Sequence, residues 1–238
     1  MSFLAHEENG LLIKTSTVLS GVRHGFSTRT GGVSPAPWDS LNLGVGRGDD
    51  MDRVRENYRR FCAVLGTDEH RAVLSKQVHE DNVRHVTAED CGKGLFRERD
   101  YTSVDAMITD TPDIPLVVFS ADCLPILLYD PVRRVVGAVH SGWRGTALGI
   151  VEKAVERMVD CYGCDRMDIL AAIGPGISKC CFETHEDVPN AMTEAMGAAA
   201  LSAIEVLPTG KFHVDLKALN AKRLESAGWI RPHRRRGI

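Results

Sequence analysis

The sequence predicts a single layered domain of mixed α/β or α+β class, and three observations carry that expectation. Several runs, among them "IPLVVFSA", "LPILLYD" and "RVVGAVH", are apolar on both faces, as strands covered on both sides are. Amphipathic segments of helical spacing lie among the strands without strict alternation, which favours stacked layers over a doubly wound sheet. No linker, repeat or low-complexity stretch divides the 238 residues.

The elements follow in chain order. "STRTGGVSPAPWDSLNLGVGRGDD" (27–50) has little periodicity. A loop of that length inside a compact domain is usually functional or disordered, and its Trp38, Leu41 and Leu43 argue for order. "DMDRVRENYRRFCAVLG" puts Val54, Tyr58, Phe61, Cys62 and Leu65 on one helical face and stops at Gly66. "RAVLSKQVH", "NVRHVTA", "DAMITD" and the three runs named above read as strands. "TALGIVEKAVERMVDCYG" is a helix with Val151, Ala154, Val155 and Met158 on its inner face, ending at Gly163. The strand "MDILAAIG", the helix "DVPNAMTEAMGAAAL", the strand "KFHVDL" and the helix "DLKALNAKRLESAG" complete the list.

Composition excludes several classes. With 43% hydrophobic and 26% charged residues the chain can bury a core without staples. A net charge of −3 gives no global reason to bind nucleic acid or an anionic membrane, and the basic tail "RPHRRRGI" reads as a frayed terminus. No apolar run approaches the roughly 20 residues that span a bilayer. "MSFLAHEENGLLIK" lacks a signal core, so the expected compartment is the cytoplasm. The seven cysteines are odd in number and include the adjacent Cys180 and Cys181, which fits a reducing compartment. "CYGC" (161–164) has no second CxxC to complete a zinc ribbon.

Three polar residues stand where the pattern expects core or a tight turn. His79 ends "RAVLSKQVH", Cys123 follows "IPLVVFSAD", and His140 ends "RVVGAVH". Each is expected at a strand end, where side chains from separate strands can converge. Two imidazoles and one thiolate suit zinc with a fourth position left for water. Spacing alone favours a satisfied core histidine and a small buried thiol instead. Arg29 in "TRTGGVS" could meet an anion beside glycine N–H groups, or it could be a solvated turn residue. Arg144 either faces an anion or stacks on Trp143. Asp122 either orients a ligand or caps a turn.

"HGFSTRTGGVSPAPWDSLNLG", "LSKQVHEDNV", "DAMIT", "SADCLPILLYDP", "VVGAVHSGWRGT", "AAIGPGISKCCFE" and "VDLKALNAKRL" together resemble the laccase-domain proteins. These are also called polyphenol oxidases or YfiH-type purine nucleoside phosphorylases. The resemblance runs from about residue 23 to 224. It implies packed mixed sheets flanked by helices in α-β-β-α layers, and zinc held by His79, Cys123 and His140. It implies phosphorolysis of adenosine, inosine and S-methyl-5'-thioadenosine, and deamination of adenosine. Arg29, Asn42 and Gln77 match its pocket residues. The implied partners are purine nucleosides and phosphate, with no nucleic acid and no membrane; the oligomeric state stays open. The resemblance also implies a closing segment with a Cys-Thr pair, an "FFS-RR" stretch and a Gly-Arg. This chain reads "GWIRPHRRRGI" instead, so a shortened or divergent C-terminus is expected.

Three other readings compete. A copper-dependent polyphenol oxidase would need His-x-His pairs, and the nine histidines form none, although copper could occupy a His₂Cys site adventitiously. A cysteine hydrolase or amidase would use Cys123 as nucleophile and His140 as base. A structural zinc would need a fourth ligand from Cys180, Cys181 or His185.

Overall fold

In the computed structural model, which describes residues 3–228, thirteen short strands and six helices build four layers. An N-terminal hairpin, β1 (Phe3–Glu8) and β2 (Leu11–Ser16), is joined by β3 (Phe26–Ser27) into an antiparallel sheet. Helix α1 (Met51–Leu65) follows the long loop, with the Asp50 carboxylate accepting from the N–H of Asp52 and Gly66 in the left-handed conformation at its end. Strand β4 (Val73–Leu74) later pairs with β7 (Leu116–Val117) in parallel. Between these come β5 (Val83–His85) and β6 (Ala106–Thr109). The hairpin β8 (Leu124–Asp130) and β9 (Val135–Ser141) leads into α2 (Trp143–Leu148) and α3 (Ile150–Tyr162). After β10 (Leu170–Ile173) the chain forms β11 (Glu183–Thr184), α4 (Asp187–Met196), α5 (Ala198–Leu201), β12 (Ile204–Val206), β13 (Phe212–Val214) and α6 (Leu216–Ser226).

The central sheet has the order β10-β8-β9-β6-β5, antiparallel except for the β5–β6 pair. Its two faces do different work. Leu124, Ile126 and Leu128 of β8 and Val135 and Val139 of β9 point to a core shared with α3, α4 and α6. Burying Val151, Val155 and Met158 there stabilises the fold by about 2 kcal/mol each. On the other face, Met107 of β6 packs with Val73 and Leu116, which are inward residues of the β4–β7 pair. The next residues along, Leu74 and Val117, point the opposite way, to Val54 and Tyr58 of α1. The layers therefore run helix, central sheet, small sheets, helix, the α-β-β-α order the resemblance implies.

Two predicted helices are split by glycine. Gly149 at φ 76° separates α2 from α3, and Gly197 at φ 56° separates α4 from α5. Arg223 of α6 closes the first break by donating to the carbonyls of Thr146 and Ala147. The N-terminal sheet, β11 and β12 carry no clean alternation, and sequence reading missed them. The tail "RPHRRRGI" lies outside the described residues.

Candidate metal centre and cleft

The β8–β9 register places Pro125 opposite His140, Leu127 opposite Ala138 and Tyr129 opposite Val136. These side chains face away from the helix core and floor a cleft of about 1920 Å³. His79, Cys123 and His140 stand at the His140 end of that floor. Residues of the 25–29 and 41–47 segments form further walls.

One nitrogen from each histidine and the Cys123 sulfur all lie within 4.8 Å of one another. Cys123 Sγ is 3.8 Å from His79 Nε2, and the two imidazoles meet edge-on with centroids 4.9 Å apart. A tetrahedral ion with Zn–N and Zn–S bonds of ordinary length sets N···S near ~3.6 Å, so the donor set fits such an ion in chemistry and in spacing. Gly142 makes the closeness possible. A Cβ there would stand 2.9 Å from Cys123 Sγ and 3.0 Å from His79 Cδ2.

His140 is delivered by β9 and is almost wholly buried. Its Nδ1 lies 2.8 Å from Asp105 Oδ1, which leaves Nε2 for the cluster. Burial opposes a charge on this imidazole, but the Asp105 carboxylate and the Cys123 sulfur outweigh it and hold the pKa up at about 9. Asp105 itself is fully buried and accepts from the backbone N–H groups of Val78, His79 and Glu80 at 3.0–3.2 Å. Burial raises its pKa, and the bonds from His140, Val78 and Glu80 more than reverse this, leaving it below the usual carboxylate value.

His79 does not end a strand. Pairing stops at Lys76, which bridges Val104, and His79 adopts φ 65°. The N–H groups that a strand would give to a neighbour go to Asp105 instead. Cys123 immediately precedes β8, and "IPLVVFSA" is a strand only at Leu116–Val117. Sequence reading missed Asp105. The available signal was a carboxylate directly before the apolar run "AMIT", where nothing else would justify its burial.

Arg29, Asn42 and Gln77 all line the cleft. Arg29 donates from Nε and Nη2 to the Asp39 carbonyl and pairs with the Asp39 carboxylate at 3.2 Å. Asn42 bonds the Asp49 carboxylate and the N–H of Gly44. The Gln77 amide is engaged with Phe119 and Ser75. The loop 27–50 is held largely by Asn57, a buried residue of α1 that accepts from Val33 N–H and donates to Ser34 Oγ and the Asn42 carbonyl.

The remaining candidates fall elsewhere. Trp143 packs against the helix core, and Arg144 stacks over it at 4.4 Å from the ring centroid. Asp122 is exposed, and its carbonyl accepts from Ile177 N–H. Among the described residues, no fourth ligand from Cys180, Cys181 or His185 joins the cluster, and Cys161 and Cys164 belong to no three-ligand group. All seven cysteines are free. No helix of the described residues is long and apolar enough to cross a membrane.

The sequence model of a family described as multi-copper polyphenol oxidoreductase laccase matches residues 23–236. A Bacillus subtilis protein named purine nucleoside phosphorylase YlmD is 34% identical over 208 residues, covering 86% of this chain and 73% of that protein. A purine nucleoside phosphorylase of Deinococcus radiodurans is 39% identical over 207 residues, covering 87% and 76%. The crystal structure of Bacillus licheniformis hypothetical protein YfiH superposes with a TM-score of 0.87 at 33% identity, covering 96% of this chain and 85% of that one.

Proposed function

The chain belongs to the multi-copper polyphenol oxidoreductase laccase family, and we propose that it is a zinc-dependent purine nucleoside phosphorylase that also deaminates adenosine. The observation that carries this reading is the convergence of His79, Cys123 and His140 at one end of a cleft roomy enough for a nucleoside. The names of the relatives from Bacillus subtilis and Deinococcus radiodurans support the substrate class. Adenosine, inosine and S-methyl-5'-thioadenosine are the proposed substrates.

Bound by these three residues, zinc would supply a Lewis acid at the cleft end. The chain's own groups do the rest. In phosphorolysis a phosphate oxygen bonds to the ribose C1' as the bond from C1' to the base nitrogen breaks. The base leaves with the electron pair and takes up a proton. Arg29 and the N–H groups of the glycine-rich loop hold the phosphate, and the anion displaces Asp39 from the guanidinium. In deamination water replaces the exocyclic amine and ammonia leaves. The apolar floor of Leu127, Ala138 and Val136 takes the base and keeps bulk water from it.

The test is metal analysis of the purified protein, then incubation with adenosine with and without phosphate, read by mass spectrometry. Adenine with ribose 1-phosphate reports phosphorolysis, and inosine reports deamination. Neither product from zinc-loaded protein would overturn the proposal.

A second reading is favoured by the Asp105–His140–Cys123 chain, which has the order of a carboxylate–imidazole–nucleophile triad. In it Cys123 attacks an amide carbon, His140 passes the thiol proton to the amine that leaves as the C–N bond breaks, and water then hydrolyses the thioester to release the acid and the free thiol. Copper oxidation is less favoured: among the described residues only one three-ligand group combines imidazole with thiolate, and a multicopper centre needs more.

A further inference from the structure

Three ligands from three distant segments cannot hold a common geometry by themselves, and two other residues join those segments in pairs. Gln77 links the His79 segment to the Cys123 segment. The β4–β7 ladder runs Val73 N–H to Pro115 carbonyl and Ser75 N–H to Val117 carbonyl. At the next rung the Gln77 side chain takes the backbone's place. Its Nε2 donates to the Phe119 carbonyl at 2.8 Å, and its Oε1 accepts from Phe119 N–H at 2.6 Å and from Ser75 Oγ at 2.6 Å. From Phe119 the chain reaches Cys123 through a short turn closed by the Ser120 hydroxyl on the Cys123 carbonyl.

Asp105 links the His79 segment to His140. One carboxylate receives His140 Nδ1, Val78 N–H, His79 N–H and Glu80 N–H. The Asp105 carbonyl also receives His140 N–H at 2.8 Å. The carboxylate thus fixes which His140 nitrogen faces the cluster and holds His79 at its left-handed φ.

We propose that Asp105 and Gln77 are positioning residues that together set the geometry of the His79–Cys123–His140 set, and that Gln77 serves this brace instead of contacting substrate. This rests on reading those three residues as metal ligands. Both ends of the Gln77 amide are already bonded, so a substrate could use it only by breaking the link to Phe119.

The experiment compares the parent chain with Asp105→Asn, Gln77→Glu and Thr109→Val. The last removes a buried hydroxyl at the end of β6 that donates to the Val86 carbonyl just past β5, away from the cluster. Each protein is stripped with a chelator. Zn²⁺ affinity is then measured by competition with a chromophoric chelator, the Co²⁺ spectrum is recorded, and the Tm of the metal-free form is taken. Asp105→Asn and Gln77→Glu should each bind Zn²⁺ roughly 10–100-fold more weakly and shift the Co²⁺ bands. Thr109→Val should lower the Tm and leave both metal readouts at the parent's values. Where Asp105→Asn does not fold, Gln77→Glu decides. Parent-like Zn²⁺ affinity and Co²⁺ spectrum in Gln77→Glu would overturn the brace, and a raised nucleoside KM alongside them would return Gln77 to the substrate. A parent chain that binds no Zn²⁺ overturns the metal reading itself, and that outcome is distinct from the others.

Discussion

Gly142 leaves just enough room for the Cys123 sulfur: a Cβ at residue 142 would stand 2.9 Å from Sγ. Both neighbours are fixed from behind, Cys123 by the Ser120 turn that leads into β8 and His79 by Asp105, so neither can yield cheaply. Gly142→Ala should therefore cost about 1–3 kcal/mol through overpacking. It should also spread the cluster, lowering bound metal per chain and turnover together. Metal analysis and thermal denaturation of the variant check both, and a fully loaded, fully active alanine variant would contradict the fit.

Metal should protect Cys123. A metal-ligated sulfur is a poor nucleophile, whereas the unligated Cys123 sulfur, 3.8 Å from His79 Nε2, is open to an alkylating agent. Iodoacetamide should label Cys123 slowly in the protein as isolated and several-fold faster after chelation. Peptide mass spectrometry separates this site from the exposed Cys161, Cys180 and Cys181. Rapid labelling of metal-loaded protein would favour the cysteine-hydrolase reading.

How much of this was legible beforehand depends on where each signal resides. The helix faces of α1 and α3, strands β8 and β9, and the α-β-β-α layering follow from period and from a resemblance spread along the chain. The ligand identities rest on the resemblance, because residues so far apart in sequence carry no local spacing. The His79 strand was misread for a physical reason. Alternation cannot reveal that a distant carboxylate takes the backbone N–H groups that a strand would give to a neighbour. Asp105 and Asn57 escaped for the related reason that a buried polar residue is recognisable only with its partners in view.

Asn57 controls the loop that carries Arg29 and Asn42. Removing its side chain leaves Val33 N–H, Ser34 Oγ and the Asn42 carbonyl without that partner in a buried place. Asn57→Ala should cost about 2–3 kcal/mol. Limited proteolysis should then cut within residues 27–50 faster than in the parent. Because no hydrogen bond among the described residues joins the loop to the three ligands, bound metal should stay at the parent level while KM for phosphate rises. Loss of metal from this variant would mean that loop and cluster are not independent.

Acid should weaken the fold through Asp90. This carboxylate, nearly buried, sits 2.6 Å from Arg84 Nη2 and 2.7 Å from Lys93 Nζ, and accepts from Thr87 N–H. Burial raises its pKa, but the Lys93, Thr87 and Arg84 bonds prevail and bring it to about 2, from 3.8 in the unfolded chain. A carboxylate depressed on folding contributes its stability in full above the unfolded value and loses it as pH falls toward the folded one. The contribution is about 2 kcal/mol at neutral pH and fades between pH ~4 and ~2. Asp90→Asn should be less stable than the parent at pH 7 by about this amount, with Lys93 and Arg84 keeping only Asp100 as a carboxylate partner. Urea titrations of both proteins from pH 7 to pH 2.5 should show the gap narrowing across that window. A gap that stays constant with pH would remove Asp90 as the titrating group.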